Sequence, residues 1–411
     1  MPSRHFKDFV PSTTIWLFYI FVVSDVFTGA VRFYTSEFGI LPITYIPKGL
    51  LLLLPVLVFV IEYKINIRLL TLLVILIVSI FYGSYNLPTI YQSIFGVWVL
   101  VPFVFGVWAS RYLLDGAEKR TGFLILLFFL ASLGVFLNTV VSYPWVGSTI
   151  SVGGTSVVAS KDLTDYGISR YGGFALASFD AAAQILCFAV WILAYSRNVL
   201  FSVFVWFLCG VGIFITTTKG LFASYVLLTF YFLTLPLIKS SKGIRYGWAA
   251  ILCLFLLLDI SLPLYSLGNQ TEIRYHTYLQ LVVFGSFGDR MSVMWPGSFS
   301  LLKGVAGWLL GRGVGGIGDA QEIFEPSQAY AGDNIFVYLT VSFGIIATVF
   351  FLGYFTLKSS ARFIQKTAHP LAFPFALLVI PYGLVVPIVD WPTLSLIFGM
   401  IFDSLVRKYG A

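Results

Sequence analysis

Along this chain, long apolar runs alternate with short polar breaks, and the runs show no internal period of two. Leu50–Ile61 and Phe123–Leu133 are continuously apolar, without the alternation a membrane barrel strand requires. A bilayer core of about 30 Å needs about 20 apolar residues in a helix. Backbone groups in lipid must also be paired within the segment. On this basis the pattern predicts an all-α, polytopic membrane protein of about twelve transmembrane helices. They fall near 12–31, 40–61, 69–83, 93–110, 121–141, 173–195, 198–216, 221–238, 246–264, 333–356, 371–389 and 393–406. Pro55, Pro102, Pro381 and Pro387 read as tolerated kinks.

Two polar stretches interrupt the pattern, 142–170 and 265–332, within what otherwise reads as a single integral membrane domain over 1–411. With the N-terminus cytoplasmic, the short loops on that side carry 16 of the 25 Lys and Arg residues. That asymmetry fits the positive-inside rule, so both termini are expected in the cytoplasm and both long loops on the outer face. The first run continues to about Val31 without a clear small-residue cleavage site and reads as an uncleaved span.

Composition then removes several classes. Only 10% of residues are charged, against about 25% in soluble domains, and 59% are hydrophobic. The net charge of +7 comes from basic residues scattered through short loops, which indicates topology and no nucleic-acid partner. Cys187, Cys209 and Cys253 lie in apolar runs without ligand spacing, so neither a disulfide framework nor a metal site is expected.

Candidate chemistry gathers on the outer face. The 265–332 loop carries Arg274, Arg290, Lys303 and Arg312. Around Arg290, Met291, Met294, Trp295 and Phe299 recur at helical spacing, as in a short helix lying on the bilayer with that stripe in lipid. Arg290 would then either grip phosphate oxygens or snorkel to head groups. Arg170 closes the first loop, and Asp180 and Gln184 follow at i and i+4 on one helix face. Asp180 pairs with Arg170, meets a substrate hydroxyl, or only fixes packing.

Thr216-Thr217-Thr218-Lys219-Gly220 is a tight turn that either holds a phosphate or caps the next helix. The run Gly313-Val314-Gly315-Gly316-Ile317-Gly318 spells a dinucleotide pattern, but no strand precedes it, so that function is rejected. Beside Arg312 it reads as an anion-binding or a plain re-entrant turn. Asp333-Asn334 opens a late span, with Asp333 as an N-cap or a general base and His276 as a second candidate base. Asp25 and Asp259 receive no specific role.

Taken together, Arg170 with Gly173-Phe174, Thr216–Gly220, Arg290 with Trp295, Gly311–Gly318, and Asp333-Asn334 with Gly344 resemble the O-antigen polymerase and ligase superfamily of bacterial envelope polysaccharide enzymes. The resemblance covers roughly residues 165–350. It implies a GT-C-like fold in the bacterial inner membrane, with a long periplasmic loop containing short interfacial helices. Substrates would be oligosaccharides on undecaprenyl diphosphate, both donor and acceptor. Partners would be membrane lipids and a chain-length regulator protein, and no cofactor or metal is implied.

Carried onto this chain, the resemblance gives Arg290, Arg170 and Asp333 catalytic roles. Lys219, Arg312, Arg274, Asp180 and Asn334 would bind the diphosphate or glycan. Relatives often carry arginine where Lys219 stands. Ligases commonly place a histidine before the asparagine, and Asp333 at that position favours a polymerase. The alternatives are an O-antigen ligase acting on lipid A–core and a polysaccharide or lipid-linked sugar flippase. A flippase fits less well, because the large loop occurs only in the second half of the chain.

Overall fold

A computed structural model describes residues 4–62, 67–152, 155–165, 167–268 and 275–405. In chain order, helices α1 (Arg4–Val26), α2 (Thr28–Glu37), α3 (Ile46–Glu62), α4 (Ile67–Asn86), α5 (Ile90–Leu114) and α6 (Ala117–Asn138) come first. Two antiparallel hairpins follow, β1 (Thr149–Val152) with β2 (Thr155–Val158), and β3 (Leu163–Asp165) with β4 (Ile168–Arg170). Next come α7 (Ser178–Tyr195), α8 (Val199–Thr216), α9 (Lys219–Leu233), α10 (Leu235–Ser240) and α11 (Lys242–Gly268). The long loop contains the short helices α12 (Tyr278–Asp289), α13 (Trp295–Ser300), α14 (Gly304–Leu310) and α15 (Asp319–Phe324). The chain closes with α16 (Ile335–Phe343), α17 (Ile345–Ile364), α18 (Ala372–Gly383) and α19 (Pro392–Ser404).

The protein is a mostly helical, multi-pass membrane protein. Seven helices among the described residues are long and apolar enough to cross a bilayer: Phe9–Val26, Leu41–Ile61, Ile90–Leu114, Ala117–Asn138, Ser178–Tyr195, Val199–Thr216 and Lys242–Gly268. Leu70–Asn86, Lys219–Leu233, Ala372–Gly383 and Pro392–Ser404 are apolar but shorter.

The twelve expected spans therefore need correction where helices break. The run expected at 333–356 divides at Gly344, whose φ of +84° is one that L side chains rarely adopt. A Cβ there would also lie 2.0 Å from the Leu309 carbonyl oxygen, so only glycine lets α14 approach. The run at 221–238 divides after Leu233, with Pro236 in the first turn of α10. The run at 371–389 ends at Gly383, and Pro387 lies in the irregular stretch beyond it. The first long loop is also a departure from all-α structure, being made of hairpins.

Contacts divide the chain into two compact units, residues 1–64 with 108–226, and residues 65–107 with 227–411. In the first, α6, α7 and α8 pack against one another. Ala181, Ala182 and Ala183 are buried, and small side chains let helices approach closely. On α8, Val199, Val203, Phe207 and Phe214 are exposed together with Leu200 and Phe204, a stripe suited to lipid.

In the second unit, α11 packs on α17, α18, α16 and α13, and α18 packs on α19. Residues 90–107 of α5 cross α19 at reciprocal glycines. A Cβ at Gly106 would lie 2.2 Å from the Leu396 oxygen, and one at Gly399 would lie 2.1 Å from the Phe103 oxygen. Such a crossing exchanges side-chain bulk for backbone contact.

Candidate functional site

The best-defined polar constellation lies in the second unit, where α12 passes into a single π-helical turn, Arg290–Met294, before α13. The Trp295 N–H donates to the Arg290 carbonyl, closing the wide turn. In an α-helix, residues five apart point about 140° from each other. The wider turn brings them towards one side.

Both residues accordingly reach Asp333. Arg290 Nη2 lies 2.9 Å from Asp333 Oδ2, and Trp295 Nε1 donates to the Asp333 carbonyl at 3.2 Å. Arg290 Nη1 also donates to the Ser286 carbonyl at 2.8 Å, which fixes the guanidinium plane. The Arg290 and Asp333 side chains keep 16% and 22% exposure, enough for a ligand to reach both. Trp295 and Phe299, expected to face lipid, are instead buried. They pack edge-on to Phe287 and stacked on Trp308, respectively.

Asn334 is fully buried and holds Asp333 in place. Its Oδ1 accepts from the Val337 N–H at 3.0 Å and caps α16, the role expected of its neighbour Asp333. Its Nδ2 donates to the Asp259 carbonyl at 3.3 Å and the Leu384 carbonyl at 3.2 Å. The first of these has a clear cause. Asp259 lies four residues before Pro263 inside α11, and proline supplies no N–H for that carbonyl. Asn334, expected to bind substrate, supplies the hydrogen bond that the helix lacks at that carbonyl.

Arg312 is likewise committed. Its Nη2 lies 3.2 and 3.0 Å from the two Glu325 carboxylate oxygens, and Nη1 donates to the Gly316 carbonyl at 2.8 Å. Buried Gln92 joins them, its Nε2 donating to Glu325 Oε1 at 2.7 Å and to the Gly315 carbonyl at 2.9 Å. A Cβ at Gly315, where φ is +85°, would lie 2.4 Å from the Gln92 backbone carbonyl oxygen. The Val314 N–H donates to Ser79 Oγ at 2.9 Å. The glycine run is thus a tightly packed turn against α4 and α5. Arg312, expected on the diphosphate or glycan, is paired with Glu325 beside this turn.

In the first unit, Arg170 ends β4 and Asp180 lies in the first turn of α7. Gln184, expected to share a face with Asp180, donates to Asp25 Oδ2 at 2.9 Å, which gives Asp25 a packing role. The stretch after Arg170 is clamped by aromatic stacking. Tyr143 and Trp145 stack at 4.4 Å, and Tyr143 also stacks on Phe174. Trp145 Nε1 donates to the Gly173 carbonyl at 3.0 Å, and the Gly173 N–H donates to Asn138 Oδ1 at 3.1 Å. Burial raises the Tyr143 phenol above its ordinary range, which keeps it the O–H donor to the Gly134 carbonyl.

Lys219 opens α9, and Thr217 before it has φ +53°, an outlier for a β-branched residue. Thr216 Oγ1 bonds back to the Ile213 carbonyl and contacts Thr218 Oγ1, so these hydroxyls are engaged locally.

The structure therefore brings Arg290, Asp333 and Asn334 together, while Arg170, Asp180 and Lys219 belong to the other unit. Arg274 lies outside the described residues. His276 is exposed, and its backbone N–H donates to Gln280 Oε1. Among the described residues no three His, Cys, Asp or Glu side chains are grouped to hold a metal.

Sequence reading missed two carboxylates. Glu325 shares the long loop with Arg312, an opposite charge that was the one available signal. Asp390 accepts a side-chain hydrogen bond from Tyr338 and sits where a Cβ on Gly318 would be, 2.4 Å from its Oδ2. Set beside known proteins, the chain matches no family model, no curated protein and no solved structure.

Proposed function

We propose that this protein is a membrane glycosyltransferase of the O-antigen polymerase kind, acting on the outer face of a bacterial inner membrane. It would transfer a growing glycan from undecaprenyl diphosphate to another lipid-linked repeat unit. The observation that supports this best is the partly exposed Arg290–Asp333 pair, held by the π turn and Trp295 at the start of a buried helix. A guanidinium offers paired donors for diphosphate oxygens, and the adjacent carboxylate can take a hydroxyl proton.

In this mechanism the arriving diphosphate competes for Arg290 and releases Asp333. The acceptor hydroxyl oxygen then bonds to the donor anomeric carbon while the bond from that carbon to the diphosphate oxygen breaks. Asp333 receives the hydroxyl proton, and Arg290 stabilises charge growing on the departing undecaprenyl diphosphate. Orientation of the two lipid-linked substrates at the membrane surface supplies further acceleration.

Glycolipids from a strain lacking the protein test the assignment. Loss of a polymerase leaves lipid A–core bearing a single repeat unit, and restoring the gene returns the ladder. Long chains stranded on the carrier lipid would make it a ligase instead. An unchanged glycolipid profile would end the proposal.

A further inference from the structure

A second polar feature lies in the same unit, away from the Arg290 turn in sequence. The connection between α4 and α5 and the 300–330 part of the long loop line a half-open cavity of about 490 Å³. Ligand sites commonly span about 300–1,000 Å³. In a chain that is 59% hydrophobic, this cavity is lined largely by amide, hydroxyl and charged groups, among them Asn86, Lys303, Ser327, Gln328 and Tyr330.

Its walls are built, not incidental. Buried Gln92 fixes the Glu325 carboxylate, which pairs with Arg312. Buried Gln321 fixes the opposite side, its Nε2 donating to the Gln328 carbonyl at 2.9 Å and its Oε1 accepting from the Tyr330 N–H at 3.1 Å. The Tyr330 ring lies over Gly297, where a Cβ would come within 2.2 Å of Cε1. These bonds leave the Gln328 amide, the Ser327 hydroxyl and the Tyr330 ring as lining groups for a ligand.

Charge narrows the ligand class. Arg312 and Glu325 cancel each other, and exposed Lys303 has no ion-pair partner among the described residues. The cavity thus carries one net positive charge among hydroxyl and amide groups, beside an aromatic ring. We infer that it is a glycan subsite that selects an oligosaccharide bearing a carboxylate, with Lys303 as the selecting residue. This rests on the glycan-transfer function above and deepens it, since it names residues for the repeat unit's sugars that are not those assigned to the diphosphate.

Binding to the detergent-solubilised full chain tests this with three probes: trigalacturonate, maltotriose and inorganic phosphate. Trigalacturonate should bind about five-fold more tightly than maltotriose, the most that one exposed ion pair ordinarily gives. Lys303→Gln should erase that preference and leave maltotriose binding intact. Gly297→Ala, which displaces the Tyr330 ring, should weaken both sugars. No binding of either sugar at about 10 mM would overturn the inference, as would an undiminished preference in Lys303→Gln. Full displacement of trigalacturonate by phosphate at equal concentration would make the cavity a plain anion site and also overturn it. Arg290→Ala should keep the binding, which separates the two claims. Polymerisation without sugar binding here would defeat only the subsite, and sugar binding without polymerisation only the polymerase.

Discussion

Asp333 is held at both ends by one turn of helix: Arg290 takes its carboxylate at 2.9 Å and Trp295 its carbonyl at 3.2 Å. The two contacts orient the same acid that would receive the acceptor proton. Removing one preorganised donor from a charge-developing site lowers turnover by about 10²–10³-fold. Arg290→Ala should show a loss of that size in ladder formation, and Arg290→Lys an intermediate one, because a lysine keeps charge without the fork. Arg290→Ala/Asp333→Asn should be little worse than the poorer single variant, since residues acting as a unit are not additive. Fully multiplicative losses would separate the two residues.

The bond from Asn334 to the carbonyl left open by Pro263 gives a test of structure alone. Asn334→Ala breaks its cap bond and two others, and should destabilise the protein by about 1–3 kcal/mol. In a Pro263→Ala background the helix supplies its own N–H to the Asp259 carbonyl. There the cost of Asn334→Ala should shrink by about 0.5–1.5 kcal/mol. Thermal unfolding of the four proteins in detergent measures this, and equal costs in both backgrounds would refute the replacement.

Gly315→Ala meets both an unfavourable φ and the Gln92 oxygen, and should lose at least about 1–3 kcal/mol. Gly247, inside α11, has open space around it, with no neighbouring heavy atom within 4 Å of where a Cβ would stand. Gly247→Ala should therefore be neutral or stabilising by up to about 1 kcal/mol. Unfolding temperatures of the two variants should move in opposite directions or differ clearly in size.

In the first unit, Trp145→Ala removes a buried ring and the bond to Gly173. It should cost about 3 kcal/mol and speed limited proteolysis within residues 142–174. Because burial raises the Tyr143 phenol, its contribution is complete below the unfolded value of about 10 and is lost as pH climbs through the raised folded value. Tyr143→Phe should remove that alkaline loss, seen as slower proteolysis of the variant than of the wild type at high pH.

Apolar runs suffice for helices that meet lipid, as at 198–216, realised as Val199–Thr216. They fail at Gly344, because a break there is demanded by the approach of Leu309, a contact no local pattern reveals. A regular helical period puts the Trp295–Phe299 stripe in lipid, and the π turn after Asp289 shifts that phase. Asp333 and Arg290 were both legible as unusual charges at a surface. Their pairing was not, and neither was the commitment of Arg312 to Glu325, since both depend on how the long loop folds back. The sequence pattern puts the cap of α16 at Asp333, one residue before the Asn334 that makes it.

The most direct measurement uses purified protein and synthetic repeat units linked to undecaprenyl diphosphate, resolved by gel as a ladder of glycan lengths. Wild type should extend the chains, and Arg290→Ala, folded and monodisperse, should extend them about 10²–10³-fold more slowly. Wild-type protein that makes no ladder, or an Arg290→Ala ladder equal to wild type, would contradict the account.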